Sequence, residues 1–241
     1  MEEYIDIHSH ILPGIDDGSQ NAEQTLAMLR IAYSEGIRTI IATPHYRIGW
    51  CTPILSELEE GINETKKVME TKLPGMTLFL GSEIYYSHKC MDQLKLKNIS
   101  TLAGSRYILV EFSSAAEYRY IKNAVQELLV NGFRPILAHI ERYADLTRNI
   151  RQVEEVIKMG AYIQVNARSI TGENGYSYKR LSKRLLKYKL VHFVATDSHN
   201  DRMKSPRLKR CALYLSKKYG EEYAKELLVE NQKKVIANQY I

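Results

Sequence analysis

Residues 4–10, Tyr4-Ile5-Asp6-Ile7-His8-Ser9-His10, run from a short apolar strand pattern straight into a pair of histidines. The same grammar recurs along the chain. Ile40-Ile41-Ala42-Thr43-Pro44 leads into His45, Leu78-Phe79-Leu80-Gly81-Ser82 into Glu83, and Ile108-Leu109-Val110 into Glu111. Ile136-Leu137-Ala138 leads into His139, and Phe193-Val194-Ala195-Thr196 into Asp197-Ser198-His199. Short apolar runs of this kind read as strands buried on both faces, the habit of parallel sheets. Residues at the same end of successive parallel strands converge in space, however far apart they lie in sequence. Five histidines and three carboxylates are therefore expected to meet in one place.

Working outward, strands are predicted at 4–8, 39–43, 76–80, 107–111, 135–138, 162–165 and 191–196. Amphipathic helices are predicted between them at 22–34, 53–72, 117–131, 150–158, 178–188 and 206–218, with a last helix at 221–231. The strand at 162–165 ends in Asn166 and supplies no strong ligand. Gly36, Gly132, Gly160 and Gly220 stand where helices should stop, because a residue without Cβ suits a left-handed terminus. The alternation of strand and helix, with no linker-like stretch, predicts one α/β domain over residues 1–241.

Composition narrows the class. The chain has 241 residues, 44% hydrophobic and 26% charged, which is ordinary for a globular protein and excludes a disordered or collagen-like one. No apolar run reaches the about 20 residues of a membrane span, and residues 1–11 lack a signal-peptide pattern, so a cytoplasmic protein without membrane insertion is expected. Cys51, Cys90 and Cys211 are too few and scattered for a disulfide framework. The net charge of +6 is concentrated late, in Lys179, Arg180, Lys183, Arg184 and Lys187 and again from Lys204 to Lys218. These residues read as solvated helix faces or as a docking surface for an acidic partner, with no nucleic-acid motif beside them.

Each strand-end residue has a plainer reading: His8 and His10 as loop histidines, His45 in a turn, Glu83 and Glu111 as caps or ion-pair partners, His139 in the core. Six such strand ends together favour a metal centre, since packed imidazoles and carboxylates need a cation to neutralise them. His88 and His192 do not terminate strands and read as structural.

On these residues the chain resembles the polymerase-and-histidinol-phosphatase (PHP) superfamily, and within it the bacterial tyrosine-protein phosphatases of capsular and exopolysaccharide operons. The resemblance spans nearly the whole chain and is most specific at residues 5–19, Ala42-Thr43-Pro44-His45-Tyr46, Gly81-Ser82-Glu83-Ile84, Ala138-His139-Ile140-Glu141-Arg142-Tyr143 and Ala195-Thr196-Asp197-Ser198-His199-Asn200. It implies a distorted seven-stranded (β/α) TIM-like barrel. It also implies three divalent metals, most often manganese, with iron, zinc or magnesium as alternatives. The implied ligands are His8, His10, His45, Glu83, Glu111, His139, Asp197 and His199. The implied substrate is phosphotyrosine on the tail of a bacterial tyrosine kinase that controls surface polysaccharide synthesis. One departure stands out: where this branch carries an arginine after its last motif, the chain has Lys204, with Arg202 two residues earlier.

The expected chemistry is phosphate-monoester hydrolysis by a metal-bound hydroxide. Arg142 would clamp the phosphate, or alternatively form a structural ion pair. Asp17 would donate the leaving-group proton, with Asp16 as the alternative donor and a turn or capping role as the plainer reading for Asp17. Arg202 or Lys204 would contact the phosphate. No cysteine is followed six residues later by arginine, so the cysteine-dependent tyrosine phosphatase mechanism is excluded. A small-molecule phosphatase, such as one for histidinol phosphate, is the nearest rival. A metal-dependent nuclease and a non-catalytic binding module are more distant ones. The loops 46–53 and 168–178 are the expected mouth that separates these substrates.

Overall fold

The computed structural model describes residues 3–241. Its nine strands are β1 (Tyr4–Ser9), β2 (Ile37–Ala42), β3 (His45–Tyr46), β4 (Thr77–Leu80), β5 (Glu83–Tyr85), β6 (Tyr107–Glu111), β7 (Arg134–Leu137), β8 (Tyr162–Asn166) and β9 (Phe193–Ala195). All pairings between them are parallel, in the orders β1-β2-β4 and β3-β5-β6-β7-β8-β9. Nine appear where seven are expected because two strands break. Pro44 has no N–H to give a ladder. At Gly81 a Cβ would come within 2.8 Å of Leu102 and 3.1 Å of Ile41, so only glycine lets the chain pass that close. Beyond each break the chain pairs again, as β3 and β5, with His45 in register with Glu83 and Tyr85 with Glu111.

The sheet curls until its last strand lies beside its first. Asp197 N–H donates to the His8 carbonyl at 2.9 Å, and His10 N–H donates to the Ser198 carbonyl at 2.8 Å. Inside this seam Asp6 is fully buried, and its carboxylate accepts the Thr196 N–H at 3.0 Å and the Thr196 hydroxyl. Burial pushes the Asp6 pKa up to about 6 even though both Thr196 bonds favour the carboxylate. An apolar strand pattern gives no warning of this polar stitch.

Helices cover the outer face of the sheet. Asn21 caps the helix Ala22–Ser34 by accepting the Gln24 N–H at 2.9 Å. The four glycines expected at helix ends all have positive φ. Three short helices, His88–Lys95, Ala144–Arg148 and Ala167–Thr171, lie where none is expected, being too short for periodicity to reveal. The last helix extends past 231 to Ile236 through a π-helical turn at Glu226–Glu230. Among the described residues, no helix is long and apolar enough to cross a membrane.

The two histidines read as structural are so in the structure. His88 is exposed and pairs with Glu127 at 3.0 Å. His192 Nδ1 accepts the Ile163 N–H at 3.1 Å, and the His192 N–H donates to the Ile163 carbonyl at 2.9 Å. Burial holds the His192 pKa down to about 4, against 6.5 for the free side chain. Between these values the unfolded chain binds a proton that the fold refuses, so stability is complete above pH 6.5 and declines as pH falls toward 4. His192→Asn keeps an acceptor that does not titrate. It should reduce the acid sensitivity of the urea midpoint between pH 7 and 4.5 by the equivalent of about 1–3 kcal/mol. A variant as acid-sensitive as the native chain would refute this.

Candidate metal centre

Every expected ligand lies at the C-terminal end of the curled sheet, and all but His45 and Glu111 are buried. Glu83 is the hub. Its Oε2 lies 3.2 Å from His8 Nε2, 3.2 Å from His10 Nε2 and 3.1 Å from His45 Nδ1. None of the three contacts meets hydrogen-bond geometry, and this buried oxygen has no hydrogen-bond partner among the described residues. Glu83 Oε1 faces His139 Nε2 at 2.8 Å, and Glu111 Oε1 lies 3.5 Å from the same nitrogen.

The surrounding hydrogen bonds orient the inner side chains. His10 Nδ1 donates to Asp16 Oδ2 at 2.7 Å, which leaves Nε2 as its electron-pair donor. Asp197 Oδ2 can only accept, so Asn166 presents its NH2 to it at 2.8 Å and its oxygen to the Gln164 NH2 at 2.8 Å. Gln164 Oε1 must then face inward, where it accepts the His139 N–H at 2.7 Å and lies 3.3 Å from His8 Nδ1. His8 is thereby oriented with Nε2 toward His10 Nε2, 3.3 Å away. Two imidazole nitrogens and two carboxylate oxygens, from His8, His10, Glu83 and Asp197, thus face one another within 4.8 Å. Two further groups, His10-Asp17-His45-His199 and His45-Glu83-Glu111, meet the same limit.

The electrostatics express the same crowding. Burial alone would lower the pKa values of His8 and His10, but Glu83 with Asp197, and Asp16 with Glu83, outweigh it and raise both. Those histidines in turn hold Glu83 well below the usual carboxylate range against its burial. Burial, then the Glu83 charge, pushes Glu111 up to about 8. Burial, then the charge on His10, lowers His199 to about 4. Divalent cations among these groups would satisfy the donors, and imidazole with carboxylate suits manganese, iron or zinc. The orphaned Glu83 oxygen and the facing nitrogens fit such an ion.

His139 and Asp197 both have left-handed backbones, with φ of 32° and 53°. Such a conformation is uncommon outside glycine, and it turns each side chain inward where its strand stops. Gly18 closes the loop that carries Asp16 and Asp17: a Cβ there would lie 2.2 Å from the His10 carbonyl oxygen and 2.9 Å from Asp16. Asp16 is fully engaged, accepting from His10, from the Gly18 N–H at 2.9 Å and from the His45 N–H at 2.9 Å. Burial opposes the ionised form of Asp16, yet its His10 bond brings the pKa down to about 2. Asp16 therefore positions the two histidines, and Asp17, 53% exposed, is the acid that reaches the cavity.

That cavity, about 250 Å³, is floored by the cluster and walled by Asp17, Arg47, Trp50, Arg142 and Lys204. Arg142 pairs with Asp197 through Nη2 at 2.6 Å, so the structural ion pair exists and the same side chain also lines the cavity. Lys204 lines it and Arg202 does not. The segment 46–53 contributes Arg47 and Trp50, whereas 168–178 contributes nothing. Arg47 and Trp50 thus come from a loop expected at the mouth, whereas sequence reasoning missed Gln164 and Asn166. The two amides sit on the one strand that supplies no ligand, and their direction is set only by partners on other strands.

This fold and site define a class: a parallel α/β protein that gathers an imidazole–carboxylate centre for divalent metals at the strand ends. The particular family is equally plain, for residues 4–237 match the family model described as Capsular polysaccharide synthesis, CpsB/CapC, and the chain belongs to that family. It is 38% identical to the tyrosine-protein phosphatase CpsB of Streptococcus pneumoniae, over 98% of this chain and 100% of that one. It is 32% identical to the tyrosine-protein phosphatase YwqE of Bacillus subtilis (strain 168), over 98% and 93%. A solved structure from the work on YwqE and CpsB, described there as unique metal-dependent tyrosine phosphatases, superposes with a TM-score of 0.91 at 33% identity, covering 98% of this chain and 96% of that one. The histidinol phosphate phosphatase of Lactococcus lactis shares the fold, with a TM-score of 0.62 at 15% identity over 90% and 94%.

Gln164→Leu keeps the volume but removes the amide that orients His8 and the His139 backbone. Its affinity for Mn²⁺, measured by calorimetric titration, should fall about 10- to 100-fold with the fold retained, the usual cost of losing a partner that orients a ligand. Unchanged affinity would remove Gln164 from the site.

Proposed function

We propose that this chain is a metal-dependent phosphatase that hydrolyses phosphotyrosine on protein. The observation that carries the reading is the cavity itself, with a converging donor cluster as its floor and three cations, Arg47, Arg142 and Lys204, on its wall. His8, His10, His45, Glu83, Glu111, His139, Asp197 and His199 would hold three divalent ions, manganese foremost. Such ions lower the pKa of water and neutralise phosphoryl oxygens.

The chain's own residues do the rest. Arg142, whose positive charge is reinforced against burial by Asp197 and Glu83, offers its remaining N–H groups to the phosphate. Lys204 supplies a point charge where a guanidinium fork would grip two oxygens. Water attacks phosphorus and releases a proton as the bond from phosphorus to the phenolic oxygen breaks; Asp17 passes a proton to the departing phenolate and regains the one the water released. Asp17 Oδ1 also lies 3.4 Å from His45 Nε2 and 3.6 Å from His199 Nε2, so it stands between the donor cluster and the leaving group.

In our reading the two broken strands each count once, giving a distorted seven-stranded (β/α) barrel that works as one domain over residues 1–241. Its substrate is the tyrosine-rich tail of a bacterial tyrosine kinase on the cytoplasmic side, and its effect is on surface polysaccharide synthesis. A thiolate mechanism has no candidate in Cys51, the cysteine nearest the mouth. Burial, then the charges of Asp16 and Asp17, pushes its thiol up to about 11. Cys211, too, is raised by burial.

A chelator should abolish phosphotyrosine turnover, and a small thiol alkylator should leave most of it; the reverse pattern would reject the reading. His139→Ala and Asp197→Ala should lower bound metal and turnover together. Arg142→Ala should cut kcat about 100-fold with metal content, by elemental analysis, nearly intact. Turnover of histidinol phosphate above that of a phosphotyrosine peptide would transfer the assignment to small-molecule substrates.

A further inference from the structure

We infer that Trp50 is the platform on which the substrate's aromatic ring lies, so that the cavity selects aryl over alkyl phosphates; this rests on the phosphatase reading above. The residues lining the cavity are charged or imidazole side chains with a single exception, the indole of Trp50. The floor of the cavity can recognise a phosphoryl group, which every phosphate monoester carries. Only the indole can distinguish what the phosphate is attached to.

The indole is held in place and still open to a ligand. It is 56% exposed, unusual for so large an apolar side chain, and its ring packs edge-on to His45 with centroids 5.4 Å apart. The loop beneath it is closed. Arg47 N–H donates to the Cys51 carbonyl at 2.6 Å, Cys51 N–H returns to the Arg47 carbonyl at 2.9 Å, and Gly49 turns the tip with φ of 85°. The Arg47 guanidinium lies 4.2 Å over the Tyr85 ring, which fastens the root of the loop to β5. A rigid exposed ring beside a phosphate-sized cavity meets the geometry that aromatic pairing requires, stacked or edge-on at centroid separations of about 4.5–7 Å.

Two features make the ligand a phosphotyrosine within a chain. Phosphotyrosine separates its phosphate from the backbone by a flat ring, whereas phosphoserine does so by one methylene and has no ring face to set against the indole. Trp50 is also a wall of the adjoining groove, about 540 Å³, together with Pro13, Ile15 and Pro53. Glu57, Glu60 and Glu64 line the same groove, so a peptide leaving the ring has a path that starts at this side chain and runs past three carboxylates.

The test compares kcat/KM for phosphotyrosine and phosphoserine peptides of identical flanking sequence on Mn²⁺-loaded protein. In Trp50→Ala the aryl-to-alkyl ratio should fall about tenfold, mainly through KM for the aryl peptide, and in Trp50→Phe it should stay within about threefold of native. If the alanine variant does not fold by circular dichroism, Trp50→Leu, apolar but not aromatic, takes its place under the same criterion. Trp50 is the only tryptophan in the chain, so its emission reports the contact directly. A phosphonate analogue of phosphotyrosine should alter that emission, and an alkyl phosphonate of equal charge should not. An unchanged ratio in a folded variant, or calorimetric binding of the aryl phosphonate with silent emission, overturns the inference alone. Failure of the native protein to hydrolyse the phosphotyrosine peptide overturns the phosphatase reading with it.

Discussion

His8 Nε2 and His10 Nε2 face each other at 3.3 Å, with Glu83 Oε2 3.2 Å from both. Gathered electron-pair donors of this kind repel unless something positive stands among them, and water is excluded from the place where they meet. The opposing shifts of these groups follow from that. The carboxylates make the inner imidazoles more basic, the imidazoles make Glu83 more acidic, and Glu111, withdrawn from water and beside a charge already present, resists ionising. The site is thus a standing demand for cations, and the rest of the fold keeps it from relaxing.

What prevents relaxation is backbone and amide structure. The seam between the first and last strands fixes His8, His10 and Asp197 relative to one another through main-chain hydrogen bonds. Left-handed turns at His139 and Asp197 carry those side chains inward. The amide relay from Asn166 to Gln164 spans the one strand without a ligand and joins Asp197 to His8 and His139. Above this rigid floor lies a mouth of different character, built on the loop that carries Arg47 and Trp50. The division matches the tasks: the floor meets the phosphoryl group, common to all substrates, and the mouth meets whatever the phosphate is attached to.

Much of this was legible in the sequence. Apolar runs ending in His8, His45, Glu83, Glu111, His139 and Asp197 gave both the parallel sheet and the membership of its site, because strand ends on one side of a parallel sheet must converge. Strand number was less legible, since the breaks at Pro44 and Gly81 depend on how closely neighbouring backbone passes. The choice between Asp16 and Asp17, and between Arg202 and Lys204, was beyond reach. Each pair is close in sequence and alike in chemistry, and only the direction of a turn decides which member is spent on structure and which faces the cavity.

By itself the sequence determined the fold class, the residues that gather at the strand ends and the exclusion of a thiolate nucleophile, because residue type and spacing along strands are local properties written in the chain. Only the tertiary structure decided which His10 nitrogen faces the other donors, that Asp16 supports while Asp17 projects, and that one indole stands at the mouth. Those outcomes depend on partners far apart along the chain, whose distances are set when the sheet curls back on its first strand.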